Sequence, residues 1–106
     1  MSDPDLSLVW SPEAAADLLH IWHYGARHFS SDQADAHLRD IQNSAASLQR
    51  HPRLGRPRDE LVPGIRSIVV YPTCIFYRVG KSAIEIVRVV DGRRNLAAIF
   101  SRPPND

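Results

Sequence analysis

Hydrophobic positions along this chain change period twice. Leu6-Ser7-Leu8-Val9-Trp10 alternates and then meets Ser11-Pro12-Glu13, where serine suits a helix cap and proline the first helical position. A strand over 6–10 that runs into a helix is therefore predicted. In that helix Ala15, Leu18, Leu19, Trp22 and Ala26 recur at three- and four-residue steps, which puts them on one face. A second helix opens at Ser30-x-x-Gln33, a capping-box pattern, and carries Ala34, Leu38, Ile41, Ala45 and Leu48 at equally helical spacing. The connection through Arg27, His28 and Phe29 is short, so helices over 12–28 and 31–51 form an antiparallel hairpin with their apolar seams together, closed by His51-Pro52.

Residues 53–64 contain two prolines and two glycines with no regular period and read as a loop. After it, 65–71, 73–79 and 83–90 are rich in β-branched and aromatic residues, with breaks at Pro72 and Gly80-Lys81. Three such segments joined by tight turns make an antiparallel meander. The expected fold class is α+β in the order β-α-α-β-β-β, with the helical hairpin on one face of a mainly antiparallel sheet and the other face partly open. The first strand is expected beside the last, the rest of the strand order being open. At 106 residues one domain spanning 1–106 is expected.

Charge adds a polarity along the chain. The net charge is only +1, yet residues 1–49 hold two arginines against seven acids, while 50–106 hold eleven basic residues against five acids. Twelve of the thirteen cations are arginine, whose planar fork suits ion pairs and phosphate. A salt-bridged surface and an anionic partner both fit this asymmetry. The lone Cys74 excludes an internal disulfide and fits a reducing cytosol. Met1-Ser2-Asp3-Pro4-Asp5 is acidic and resembles no signal peptide, and no apolar run is long enough to span a bilayer, so a cytoplasmic protein without membrane contact is expected.

Few residues carry obvious chemistry. His20-x-x-His23 spaces two imidazoles on one helix, but no third ligand accompanies them; a solvated face is expected, with no metal and no cofactor. Cys74 lies among apolar strand residues and no histidine follows it closely, so a structural thiol is expected. Arg66, Arg78 and Arg88 interrupt apolar strands, and Arg93-Arg94 follow the last one. Partners drawn from Asp59, Glu60, Glu85 and Asp91 are expected for Arg78 and Arg88. Arg66, Arg93 and Arg94 are the better candidates for contacting another molecule.

These residues fall into a familiar order. Asp17-Leu18 with Ile21-Trp22-x-Tyr24, Gln33-Ala34, Leu48 to Pro52 and Gly55-Arg56 resemble the first half of ParE-type toxins of the RelE/ParE superfamily. Asp59-Glu60-Leu61, Pro63-Gly64-Ile65-Arg66-Ser67, Ile75-Phe76-Tyr77-Arg78-Val79, Ile84 to Val90 and Gly92-Arg93-Arg94 resemble the second half in order and spacing. The resemblance implies the toxin of a type II toxin–antitoxin pair, neutralised by a ParD-like ribbon-helix-helix antitoxin that alone touches operator DNA, with DNA gyrase as target. On the hairpin, Leu19, Trp22, Leu38 and Ile41 are the candidate antitoxin contacts; Arg66, Arg93 and Arg94 are the candidate target contacts.

Two positions depart from the family pattern, Asp91 where histidine is common and Asn95 where aspartate is common. Three readings stay open: a binding inhibitor of gyrase, a RelE-like ribosome-dependent mRNA endoribonuclease, and a degenerate toxin that keeps only antitoxin binding. The first is favoured because residues 91–100 contain no Tyr, His or Lys to move a proton, and no catalytic residue is assigned. Gly92 is expected to turn the chain off the sheet edge and present the arginine pair.

Overall fold

The computed structural model describes residues 6–101; the N-terminal segment read above for targeting lies outside them. The elements are β1 (Ser7–Trp10), α1 (Pro12–His28), α2 (Ser31–Ser47), β2 (Arg56–Pro57), β3 (Ile65–Val70), β4 (Thr73–Val79), β5 (Ala83–Asp91) and α3 (Leu96–Phe100). They form an α+β fold with a five-stranded sheet in the order β1-β5-β4-β3-β2. β1 runs parallel to β5, from which both hairpin helices and three strands separate it in sequence, and the other pairings are antiparallel.

The hairpin forms where the capping residues place it. Ser11 Oγ accepts the Ala14 N–H at 2.9 Å and donates to the Val87 carbonyl at 2.8 Å, so one hydroxyl starts α1 and ties it to β5. Ser30 Oγ accepts the Gln33 N–H at 3.1 Å and starts α2. Ala14 of α1 and Ile41, Ala45 and Leu48 of the α2 region meet Ile75, Tyr77, Ile84, Ile86 and Val89 in one core under the helices.

Several expectations are corrected. α2 ends at Ser47, short of His51, because Leu48, Gln49 and Arg50 close on Ala45, Ala46 and Ser47 with tighter three-residue bonds of 3.1–3.2 Å. The segment read as pure loop contains β2, paired to β3 through Arg56↔Ser67 and Pro57↔Arg66. The second sheet face is partly open as expected: Ile65, Cys74, Phe76 and Val90 are buried there under Leu61, Val62 and the α3 residues Leu96, Ile99 and Phe100, while Val69 stays exposed. α3 is capped by the Asn95 side chain, which accepts from Ala98 N–H.

Tyr77 anchors the loop to the sheet. Its phenol donates to the Pro52 carbonyl at 2.7 Å and accepts the Gly55 N–H at 2.8 Å, and a Cβ on Gly55 would stand 2.7 Å from the Tyr77 ring and from the Ser67 carbonyl. Tyr77→Phe leaves the buried Gly55 amide unsatisfied, at an expected cost of about 1–3 kcal/mol. A urea unfolding curve with an unchanged midpoint would contradict that.

Candidate functional site

The site is organised by how α1 meets the far end of β5. β1 pairs with β5 only as far as Trp10↔Ile86, so beyond Ile86 the β5 edge lacks a strand partner. α1 supplies the missing partners: Ser11 at its N-cap donates to the Ile86 and Val87 carbonyls, and the Asp17 carboxylate takes the Val89 N–H at 2.9 Å. The same carboxylate receives the Arg88 fork, Nε at 2.7 Å and Nη2 at 2.9 Å. This pair, largely shielded from solvent, raises the Arg88 pKa chiefly through the hydrogen bond. Arg88 thus pairs with Asp17, which is none of the four acids expected for it, because the partner comes from a helix distant in sequence. Arg78 does pair with Glu85, at 3.9 Å on an exposed surface.

Past this clamp the chain leaves β5 at Asp91-Gly92-Arg93-Arg94. β5 is internal in the strand order, but β1 flanks it only as far as Ile86, so at Asp91 the chain turns off an unpaired flank of the sheet. Gly92 is needed for close approach: a Cβ there would lie 3.0 Å from Cys74 Sγ, and its N–H donates to the Pro72 carbonyl. Asp91 accepts from the Arg93 backbone N–H at 2.8 Å and from its guanidinium at 3.0 and 2.7 Å. Those side-chain and backbone hydrogen bonds hold the Asp91 carboxyl down to about 2. The Arg94 side chain is exposed and its guanidinium makes no hydrogen bond among the described residues.

Arg66 stands apart from this pair. It sits opposite Tyr77 on β3 and donates to the Gly55 carbonyl at 2.6 Å, whereas Asp91 lies opposite Thr73. Four residues of β4 separate the two levels, about 13 Å along the strand. The structure therefore brings Arg93 and Arg94 together but not Arg66.

On the outer side of the hairpin, Ala15, Leu18, Leu19, Trp22, Leu38 and Gln42 line an open groove of about 350 Å³. Trp22 is fixed across it by an indole hydrogen bond to Asp35 at 2.7 Å. Three of the four candidate antitoxin contacts meet here. Ile41 does not: it is fully buried beneath the helices. Leu38 and Ile41 share one seam in the sequence pattern, but only Leu38 reaches its outer flank.

His20 and His23 are exposed on α1, and among the described residues no cluster of three metal-binding side chains occurs. The Cys74 thiol is buried and pushed up by desolvation, the condition of a structural thiol. Sequence reasoning also passed over Arg58, which donates to Glu60 at 2.7 Å and Ser67 at 3.2 Å and lies over the Phe76 ring. With Arg56 it borders a wider cleft of about 640 Å³ beside β3. No described helix is long and apolar enough to cross a membrane.

Comparison with known proteins now places the chain. Residues 8–96 match the family model described as the ParE toxin of the type II toxin–antitoxin system, parDE. Toxin ParE1 of Mycobacterium tuberculosis is 37% identical over 87 residues, covering 81% of this chain and 89% of that protein. Toxin ParE1 of Caulobacter vibrioides is 34% identical over 88 residues, covering 83% and 91%. Among solved structures, a chromosomal ParDE system from P. aeruginosa superposes with a TM-score of 0.72 at 30% identity, covering 81% of this chain and 95% of that one. A YoeB dimer from Staphylococcus aureus shares the fold at 18% identity, with a TM-score of 0.60 and coverage of 86% and 100%. The chain belongs to the ParE toxin family of type II toxin–antitoxin systems.

Proposed function

We propose that this toxin acts in the cytoplasm by docking on DNA gyrase, without cleaving RNA, and that a ParD-like antitoxin silences it. The observation that carries the reading is the state of Asp91. It is the carboxylate beside the exposed arginine pair, and Arg93 holds it at about 2, far too weak a base to take a proton near neutral pH. Arg94 offers an open guanidinium fork for binding, and Arg93 the Nη1 that Asp91 leaves over. Arg66, committed to Gly55, holds the loop. Kinship with a ParDE system supports the ParD-like partner, and the Leu19–Trp22–Leu38 groove supports an amphipathic helix as its mode of binding. Contact with operator DNA belongs to the antitoxin.

The test is to induce the chain alone in a bacterium and follow DNA and protein synthesis separately. DNA synthesis is expected to stop first. An Arg93→Ala, Arg94→Ala double variant is expected to relieve the arrest, raising the toxin dose needed by about tenfold or more, with antitoxin binding retained. Early loss of protein synthesis with fragmented message would overturn the reading in favour of the ribonuclease. A chain that arrests nothing yet binds the antitoxin would favour the degenerate toxin.

A further inference from the structure

Two exposed tyrosines flank the arginine pair, and the fold explains why. Ser11 meets β5 at Ile86 and Val87, and Asp17 meets it at Val89, so α1 and β5 advance in the same direction. Tyr24 follows Asp17 by seven residues, two helical turns, on the same flank and about 10 Å further on. From Val89 to Asp91, the end of β5, the strand advances about 7 Å before the turn that carries Arg93, closed by the Arg94 N–H on the Asp91 carbonyl. Tyr24 therefore comes level with Arg93. Tyr71 arrives from the opposite side, because Pro72 accepts the Gly92 N–H at 3.1 Å and so sets the β3–β4 turn beside Arg93. Both phenols lie within electrostatic reach of the Arg93 guanidinium.

Neither ring is buried in the core. Tyr71 is 84% exposed and Tyr24 60%, while Tyr24 is held in place by stacking on His28 at 4.0 Å between centroids. Exposed tyrosine beside arginine is the composition of an interface hot spot, where a rigid ring adds contact area at little entropic cost. The charge state selects the kind of partner. A polyanion is bound by neutralising many phosphates with free cations, yet Arg93 already spends Nε and Nη2 on Asp91. What remains is Nη1, the Arg94 fork and two phenols, a set suited to one carboxylate within a protein surface.

We propose that Tyr24, Tyr71, Arg93 and Arg94 form one docking surface for a carboxylate-bearing face of the toxin's protein target. This rests on the docking reading above and adds the tyrosines as determinants of it. The surface is separate from the antitoxin groove, since Ala15 and Leu19 stand about half a turn round α1 from Asp17 and Tyr24.

The test compares wild type, Tyr24→Ala/Tyr71→Ala and Tyr24→Phe/Tyr71→Phe for growth arrest, with antitoxin affinity and thermal unfolding measured in parallel. The alanine pair is expected to raise the dose for arrest by about tenfold or more, the phenylalanine pair to retain most activity, and antitoxin affinity to stay within about twofold. If the alanine pair fails to fold, Tyr71→Glu at the exposed turn decides, because its carboxylate repels the partner's. Full arrest by a folded alanine pair overturns the proposal, as does an equal loss of antitoxin binding. Tyrosine-dependent binding of a 30-bp DNA duplex at physiological salt would replace the protein partner by a nucleic acid. If purified gyrase is not inhibited by wild type, the gyrase reading falls while the arrest comparison still decides this surface; a wild type that arrests nothing overturns both.

Discussion

Asp17→Ala is expected to lower the free energy of unfolding by about 2–4 kcal/mol, a large share of the 5–15 kcal/mol that holds a domain of this kind together. Two losses combine. The Arg88 guanidinium, whose side chain is only 25% exposed, keeps its charge without its fork partner, and the Val89 amide at the unpaired part of β5 loses its acceptor. The partial exposure of Arg88 places the estimate below that for a fully buried pair. Asp17→Asn retains an acceptor for Val89 and is expected to cost about half as much. Combining Asp17→Ala with Arg88→Met removes the stranded charge and is expected to recover part of the loss. Urea unfolding of the three variants measures this, and a midpoint for Asp17→Ala equal to wild type would show that the clamp does not stabilise the fold.

The second large effect is on antitoxin binding. Leu19 is 60% exposed in the unbound toxin, so Leu19→Glu is expected to change stability by no more than about 0.5 kcal/mol. Once the groove is covered, however, the new carboxylate sits against Leu18, Trp22 and Leu38 with no cation among the groove residues. Affinity for the proposed ParD-like antitoxin is then expected to fall by about 100-fold, or about 2.7 kcal/mol. Trp22→Ala is a less clean probe, because it also removes the indole bond to Asp35 that joins the two helices. Calorimetric titration with the antitoxin reads the change directly; undiminished affinity for Leu19→Glu would move the antitoxin away from this groove.

What could be read in the chain, and what could not, follows from the range of each interaction. Ser11-Pro12 and Ser30-x-x-Gln33 act within one helical turn, so both helix starts were legible to the residue. The meander was equally visible, because its strands are joined by tight turns, and β1 lies beside the last strand as expected. β2 escaped notice because two residues carry no period. The partial cover on the second face was signalled by the unbroken run Cys74-Ile75-Phe76-Tyr77, whose alternate members fill separate cores, but a short apolar run does not say which element lies on either side.

The site residues show the same limit. An apolar stripe wide enough to pack a helix serves both the sheet and the solvent side, so periodicity grouped Ile41, which is buried, with Leu38, which lines the groove. Asp17 was quoted for its family likeness and given no task, since its partners Arg88 and Val89 lie more than 70 residues away. Tyr24 and Tyr71 likewise come within electrostatic reach of Arg93 only through the packing of α1 against β5 and the closure of the β3–β4 turn.

Docking on gyrase without chemistry is tested most directly by giving one preparation of purified toxin two substrates side by side, gyrase relaxing and supercoiling plasmid DNA, and ribosomes translating a defined message. Inhibited supercoiling with intact message, reversed by the antitoxin and weakened by Arg93→Ala/Arg94→Ala, is the predicted result. Cleaved message with unimpaired supercoiling would contradict the account.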